Sequence, residues 1–386
     1  MTLPRPRCAT HAAVALVVLA AQATAGVQSV AVPLSPSAWE ATDSVRSESY
    51  LGRPSLYINR GVALARDVTL ENGTIDYDVA ATPATSFLGI SFHAASPRFS
   101  EVVMLRARQS GTPEALQYAP AFNNVGAAWQ VYHGPGSNAV AIIPRERWVH
   151  VRIELEGQTA RVFFDTATVP TLTVPRLAGA GGARFGVWTG AFGRGAYFSN
   201  IRYTASTKPV AATPAPRPEP GVITSWELSN VVEPAAFTPG KLPDLATLRW
   251  QRVTAEPGGF VLVNRYREQP NGGLPADSRT RELLTDSVMT GKIAGSKIVY
   301  GRTTIDSPRD EIRRLQFCYS DGVVIYVNGR PLSFAMNPQG LRDDLGIMSF
   351  IGDAVYVPLT KGRNEIVFAV IEVGGGWAFG AKLDPM

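Results

Sequence analysis

The sequence predicts an all-β chain: two β-sandwich (jelly-roll) domains joined by a Pro-rich linker. Three observations carry that prediction. Apolar and polar residues alternate with period two in many short stretches, which turns one face of each toward a core. Gly, Pro and Asn/Asp turn signals separate the stretches, and apolar repeats at helical spacing are scarce. Between Thr204 and Gly221 the run TASTKPVAATPAPRPEPG carries repeated prolines and almost no large apolar side chain, so it favours extended polyproline geometry and cannot build a core. The expected organisation is a signal peptide over 1–25, a sandwich over 26–204, the linker over 205–221 and a second sandwich over 222–386.

At the start of the chain, Arg5 and Arg7 precede the apolar run Ala12 to Ala21 and an A-x-A cleavage site at Ala23-Thr24-Ala25, the pattern of a secretory leader. A secreted or periplasmic location is therefore expected. The apolar run is too short for a transmembrane helix, and no later segment approaches the roughly 18–20 apolar residues that one needs. Cys8 leaves with the leader, so Cys318 is the only remaining thiol and no intrachain disulfide is expected. Stability must then come from the cores, and 386 residues suffice for two of ordinary size. Loss of Arg5 and Arg7 lowers the formal charge of +5 by two. That weak balance, with no basic run interleaved with aromatics, excludes a nucleic-acid groove and leaves a mild affinity for acidic glycans.

In the first domain, period-two stretches run over Gly73 to Ala80, Phe87 to His93, Glu101 to Ala107 and Ala196 to Tyr203. Trp148 to Asp165 reads as an antiparallel hairpin: Val149, Val151, Ile153 and Leu155 alternate with His150, Arg152, Glu154 and Glu156 before Gly157 turns the chain. In the second domain Leu315, Phe317 and Tyr319 alternate, Asp321-Gly322 is expected to turn the chain into Val323 to Val327, and Asn328-Gly329 supplies the residues of a tight hairpin turn. Ala354 to Leu359, Asn364 to Glu372 and Trp377 to Leu383 read as further strands. Arg279 to Thr290 is the segment best suited to a short helix.

The stretch Glu101 to Tyr132 crowds Glu101, Arg106, Gln109, Gln117, Tyr118, Asn123, Trp129 and Tyr132 together. Sugars offer hydroxyls to amide, carboxylate and guanidinium groups and C–H faces to aromatic rings, so these residues form a candidate carbohydrate-binding platform. The alternative is a long connection whose polar groups satisfy one another. His93, His133 and His150 lack the neighbour pattern of a zinc site, and no metal or cofactor is expected. A structural calcium held by strand carbonyls leaves no trace in sequence. No G-x-S-x-G elbow is present. Trp377, behind three glycines, suits either a sugar-stacking ring or a plug at the end of the sandwich.

The first domain resembles the concanavalin A-like lectin/glucanase (laminin-G-like) sandwich. The resemblance rests on Gly73-Thr74-Ile75-Asp76-Tyr77-Asp78, Trp148-Val149-His150-Val151-Arg152-Ile153, Gly186-Val187-Trp188 and Ala196-Tyr197-Phe198-Ser199-Asn200-Ile201. It is similar in particular to a bacterial exported group with an R-P-H-x-S-G, D-A-x-Q-Y-x-P and N-G pattern. Arg106, Gln109-Ser110-Gly111, Ala115, Gln117-Tyr118, Pro120 and Asn123 match that pattern, while Ala107, Arg108, Glu114 and Asn124 depart from it. The second domain is similar to the galactose-binding-like jelly roll, through Tyr319-Ser320-Asp321, Val323 to Gly329, Arg342-Asp343, Lys361 to Glu365 and Gly375-Gly376-Trp377.

These resemblances imply carbohydrate recognition by a non-catalytic sandwich with an accessory module. The alternative they imply is a polysaccharide hydrolase, whose carboxylates sit at alternate positions of one strand face. Asp76 and Asp78 fit part of that spacing, and Glu101 is the other weak catalytic candidate. A structural envelope protein without a small ligand is the third expectation. Which glycan is bound and what oligomer forms are not written in any pattern.

Overall fold

A computed structural model of the chain describes residues 28–123, 127–190, 194–211, 214, 217–268, 296–336, 346–373 and 376–385. Among these residues the regular structure is strand apart from short 3-10 turns. The expected leader, the helix expected over 279–290 and Arg342-Asp343 lie outside the described residues. Among the described residues no helix is long and apolar enough to cross a membrane.

Two antiparallel sheets pack face to face in the first domain. The larger is eight-stranded and runs Leu172–Val174, Thr159–Phe164, Trp148–Glu156, Gly73–Ala81, Ala196–Ala205, Arg53–Ile58, Val45–Tyr50, with Val30–Ala31 also paired to Ala196–Ala205. The smaller is seven-stranded and runs Asn138–Ala139, Leu116–Phe122, Phe99–Arg106, Phe87–Ser96, Arg184–Thr189, Gly61–Ala65, Trp39–Ala41. Alternation decides which side chains meet between them. Val149, Val151, Ile153 and Leu155 are buried in a core with Ile75, Tyr77, Ile90, Phe92, Val103 and Leu105, while His150, Arg152 and Glu154 stay half-exposed on the other face. Gly157 turns the chain between the paired strands Trp148–Glu156 and Thr159–Phe164 at a φ of +59°, as the sequence led us to expect.

The second domain repeats the architecture with a six-stranded and a four-stranded sheet. The larger runs Trp250–Thr254, Ser225–Ser229, Lys297–Ser307, Gly362–Glu372, Gly322–Val327, Arg330–Met336; the smaller runs Phe260–Leu262, Ala378–Leu383, Glu311–Ser320, Ala354–Leu359. Asn328-Gly329 closes the hairpin of Gly322–Val327 with Arg330–Met336, both residues having positive φ (+49° and +78°). The turn expected at Asp321-Gly322 is instead a crossover. Glu311–Ser320 belongs to the smaller sheet and Gly322–Val327 to the larger, and the buried Asp321 carboxylate accepts the Val373 amide at 2.8 Å where the chain passes between them. Trp377 is fully buried beside Phe368, Phe379 and Trp226, so it plugs the core and offers no ring to solvent.

The two domains meet along an interface with an apolar centre. Phe122, Ala128 and Ala180 of the first pack with Phe260, Leu262, Cys318, Met348 and Ala378 of the second in one apolar cluster. Burial there makes Cys318 an interface side chain, deeper than the half-buried strand thiol that its alternation suggests.

Candidate functional site

The motif strands Phe99–Arg106 and Leu116–Phe122 are neighbours, with Val103 opposite Tyr118 and Met104 opposite Gln117. Their alternation sorts the polar residues onto two faces. Toward the core, the Tyr118 hydroxyl donates to Glu101 at 2.5 Å and accepts the Ala178 amide at 2.7 Å. The other Glu101 oxygen accepts the amides of Gly179 and Ala180 at 2.7 and 2.8 Å. Desolvation raises the Glu101 carboxyl above its ordinary range against these hydrogen bonds, and with the facing carboxylate it pushes the Tyr118 phenol well up.

On the opposite face Arg106 donates to Gln117, to the Glu114 carbonyl at 3.0 Å and to the Glu114 carboxylate at 3.1 Å. Gln117 in turn donates to the carbonyls of Trp129 and Tyr132. His133 and Asn138 complete the shell around Glu114 at 2.7 and 3.1 Å.

Glu101, Arg106, Gln117 and Tyr118 are therefore buried and mutually bonded, which leaves them no free face for a sugar. Gln109 and Trp129 are half-exposed at the edge of the cluster. Asn123 and Tyr132 point across the domain boundary: the Asn123 amide donates to the Asn264 carbonyl at 2.9 Å, and the Tyr132 hydroxyl donates to Glu256 at 2.5 Å.

Arg265 is the hub of that boundary. Its guanidinium binds both Glu256 oxygens at 2.8 and 3.1 Å, donates to the carbonyls of Gly179 and Ala178 at 3.2 and 3.1 Å, and lies 4.0 Å over the Phe122 ring. Gln130 adds a second tie, donating to the Gly346 carbonyl at 2.9 Å while its own carbonyl accepts the Met348 amide at 3.0 Å. The segment expected to be a glycan platform is in this structure the surface on which the second sandwich docks.

Solvent-facing chemistry gathers elsewhere, on the outer face of the larger sheet. The register sets His150 opposite Asp78 and Arg152 opposite Asp76, and the imidazole bridges both carboxylates at 2.9 and 3.4 Å. Arg53 and the Asn200 amide each reach the second Asp78 oxygen at 2.5 Å. Hydrogen bonds to Asp76 and Asp78 push the His150 pKa up to about 9, so the imidazole is a cation at neutral pH. The same partners hold the Asp78 carboxyl below its usual value although desolvation opposes them.

Beside this cluster runs a ladder of rings. Tyr50 stacks on Tyr197 at 3.8 Å and 3°, Trp148 meets Tyr50 edge-on at 6.1 Å, and Tyr57 lies 5.0 Å from Tyr197. Guanidinium groups close both ends, Arg46 at 3.9 Å over Tyr57 and Arg53 at 5.5 Å over Trp148. Tyr50, Trp148 and Tyr197 are half-exposed.

Asp76 thus stands on this outer face and Glu101 is buried in the other sheet, so the two carboxylates do not share a cleft. Sequence alternation found Asp76, Asp78 and His150 as one surface each. What it missed are Tyr50, Arg53, Tyr57, Trp148, Tyr197 and Asn200, because only cross-strand register brings them together. Among the described residues no group of three or more His, Cys, Asp or Glu side chains is arranged to hold a metal ion.

No family model matches the chain, and no curated protein matches it. Solved structures do show likeness. A carbohydrate-binding module from Bacillus subtilis, CBM66, aligns at 11% identity over 44% of this chain and 96% of its own, with a TM-score of 0.33. A Bacillus subtilis protein of unknown function with a galectin-like fold aligns at 9% identity over 46% and 94%, with a TM-score of 0.34. Domain 4 of an extracellular arabinanase from Geobacillus stearothermophilus, solved with arabinotriose, aligns at 12% identity over 46% and 81%, with a TM-score of 0.24.

Proposed function

We propose that this chain is an exported carbohydrate-binding protein and that the outer face of the larger sheet of its first domain is the binding surface. The observation that carries the reading is the half-exposed ladder of Tyr50, Tyr197 and Trp148 beside the Asp78 cluster. Ring faces and edges take the C–H surfaces of a sugar, while Asp76, Arg53, Arg152 and Asn200 stand at the side to meet its hydroxyls. The Asp78 cluster holds these groups in place: a carboxylate bonded on every side cannot swing, so the hydroxyl partners are pre-organised before a ligand arrives.

Binding without bond cleavage suits this surface, because the His150 cation bridges its two carboxylates and occupies the space between them, where a hydrolase needs room for the scissile bond. A glycan array probed with the full mature chain tests the reading, followed by an assay of the bound polysaccharides for new reducing ends. Tyr197→Ala is expected to weaken binding about tenfold, the worth of one ring contact, in a chain that still unfolds cooperatively and is destabilised only by the about 0.5–1.5 kcal/mol of each lost ring pair. Unaltered affinity in that variant, or the appearance of reducing ends with the wild-type chain, would refute it.

A further inference from the structure

The second domain carries a concavity of about 370 Å³ on the outer face of its larger sheet, lined by Arg252, Arg302, Arg363, Glu227, Glu365 and Thr304 together with neighbouring Ser225, Trp226 and Thr303. Its charges are not all spent on one another. Arg302 takes both carboxylates: its Nε lies 2.9 Å from Glu227, its Nη1 4.0 Å from Glu365, and its guanidinium rests 4.0 Å over the Trp250 ring. Arg252 and Arg363 are exposed, and among the described residues neither side chain makes a hydrogen bond or ion pair. Asp306 stands opposite Arg363 in the register without closing an ion pair with it.

We propose that this concavity binds an acidic polysaccharide, one bearing a carboxylate or sulfate on alternate sugars with uncharged sugars between them. The free guanidiniums present planar forks that match such groups bidentately. They sit on the two outermost of the four lining strands, about 14 Å apart across the sheet, and because Val367 rather than Arg363 is level with Arg252 they are also about 13 Å apart along it, roughly 19 Å on the diagonal. A ligand that meets both must therefore carry anionic groups at intervals. Between them Glu227 and Glu365 repel a continuous line of negative charge, so a phosphate backbone fits poorly, whereas the uncharged stretch of a sugar ring can lie over them and use the Ser225 and Thr304 hydroxyls. This site is separate from the ring ladder of the first domain and does not depend on it.

The test is binding of the full chain to hyaluronan, whose carboxylates stand on alternate sugars, to neutral dextran and to single-stranded DNA at low and high salt. Retention on hyaluronan, weakened by salt, with none on dextran through this site, is expected. The double variant Arg252→Ala/Arg363→Ala should lose at least about tenfold in affinity for the acidic polymer. A control that removes the same charge elsewhere, Arg108→Ala/Arg217→Ala, should keep it. Both pairs are exposed, so melting curves should match the wild type. The proposal is overturned if hyaluronan does not bind, if the Arg252/Arg363 variant retains full affinity, if the control loses as much, or if DNA binds equally well.

Discussion

Arg265→Ala should uncouple the two sandwiches. In the wild type its guanidinium satisfies the Glu256 carboxylate and the carbonyls of Ala178 and Gly179, with the arginine and glutamate side chains 21% and 7% exposed. Removing one partner of such a buried pair leaves the other charge desolvated and costs about 3–5 kcal/mol. The Tyr132 hydroxyl remains on Glu256, which holds the loss near the lower end, while the lost contact with Phe122 adds about 0.5–1 kcal/mol. At about 2–4 °C per kcal/mol for a domain of this size, a total loss near 3.5–4 kcal/mol lowers the docked transition by roughly 7–16 °C. Scanning calorimetry should then resolve two transitions where the wild type gives one. Arg265→Met combined with Glu256→Gln should recover much of the loss, because no unpaired charge is left behind. A single transition within about 1 °C of the wild type would show that the hub contributes nothing to docking.

Tyr118→Phe deletes a hydroxyl that joins Glu101 to the Ala178 amide, and a buried group left unpaired costs about 1–3 kcal/mol. Denaturant melts should record that loss while glycan affinity stays put; an intact fold with reduced affinity would return the motif to the binding surface. For His150, the folded pKa of about 9 lies above the unfolded value of about 6.5, so its contribution to stability is complete below about pH 6.5 and is lost as pH rises through 9. NMR titration of the imidazole should give that raised midpoint and should move it toward 6.5 in Asp76→Asn/Asp78→Asn. A wild-type midpoint near 6.5 would remove the bridged cation from the site.

Much of the fold is legible in the sequence because alternation reports burial directly. Val149, Val151, Ile153 and Leu155 could be assigned to a core face, and Asn328-Gly329 to a hairpin, without any knowledge of partners. The crossover at Asp321 was not legible, since Asp-Gly between two apolar runs looks the same whether the second run pairs with the first or leaves for another sheet. The same limit hid the site. Alternation says that Asp76, Asp78 and His150 face away from the core, but not that they face each other, which depends on a register spanning more than 70 residues of chain.

The motif misled for a related reason. Carboxylate, guanidinium, amide and phenol groups that serve a sugar are the same groups that satisfy one another inside a protein, and composition cannot tell the two uses apart. Position in the sheets separates them. The Glu101 to Tyr132 cluster belongs to the smaller sheet and the loop at 178–180, the side on which the second domain sits. Tyr50, Trp148 and Tyr197 belong to the larger sheet, and among the described residues none of their ring contacts involves the second domain. Hydrogen bonds within the first domain occupy Glu101, Arg106, Gln117 and Tyr118, and docking occupies Asn123, Gln130 and Tyr132. The charged surface of the second domain is thereby held in a fixed orientation to the ladder of the first, and the Arg265 hub is a tie that sets that orientation.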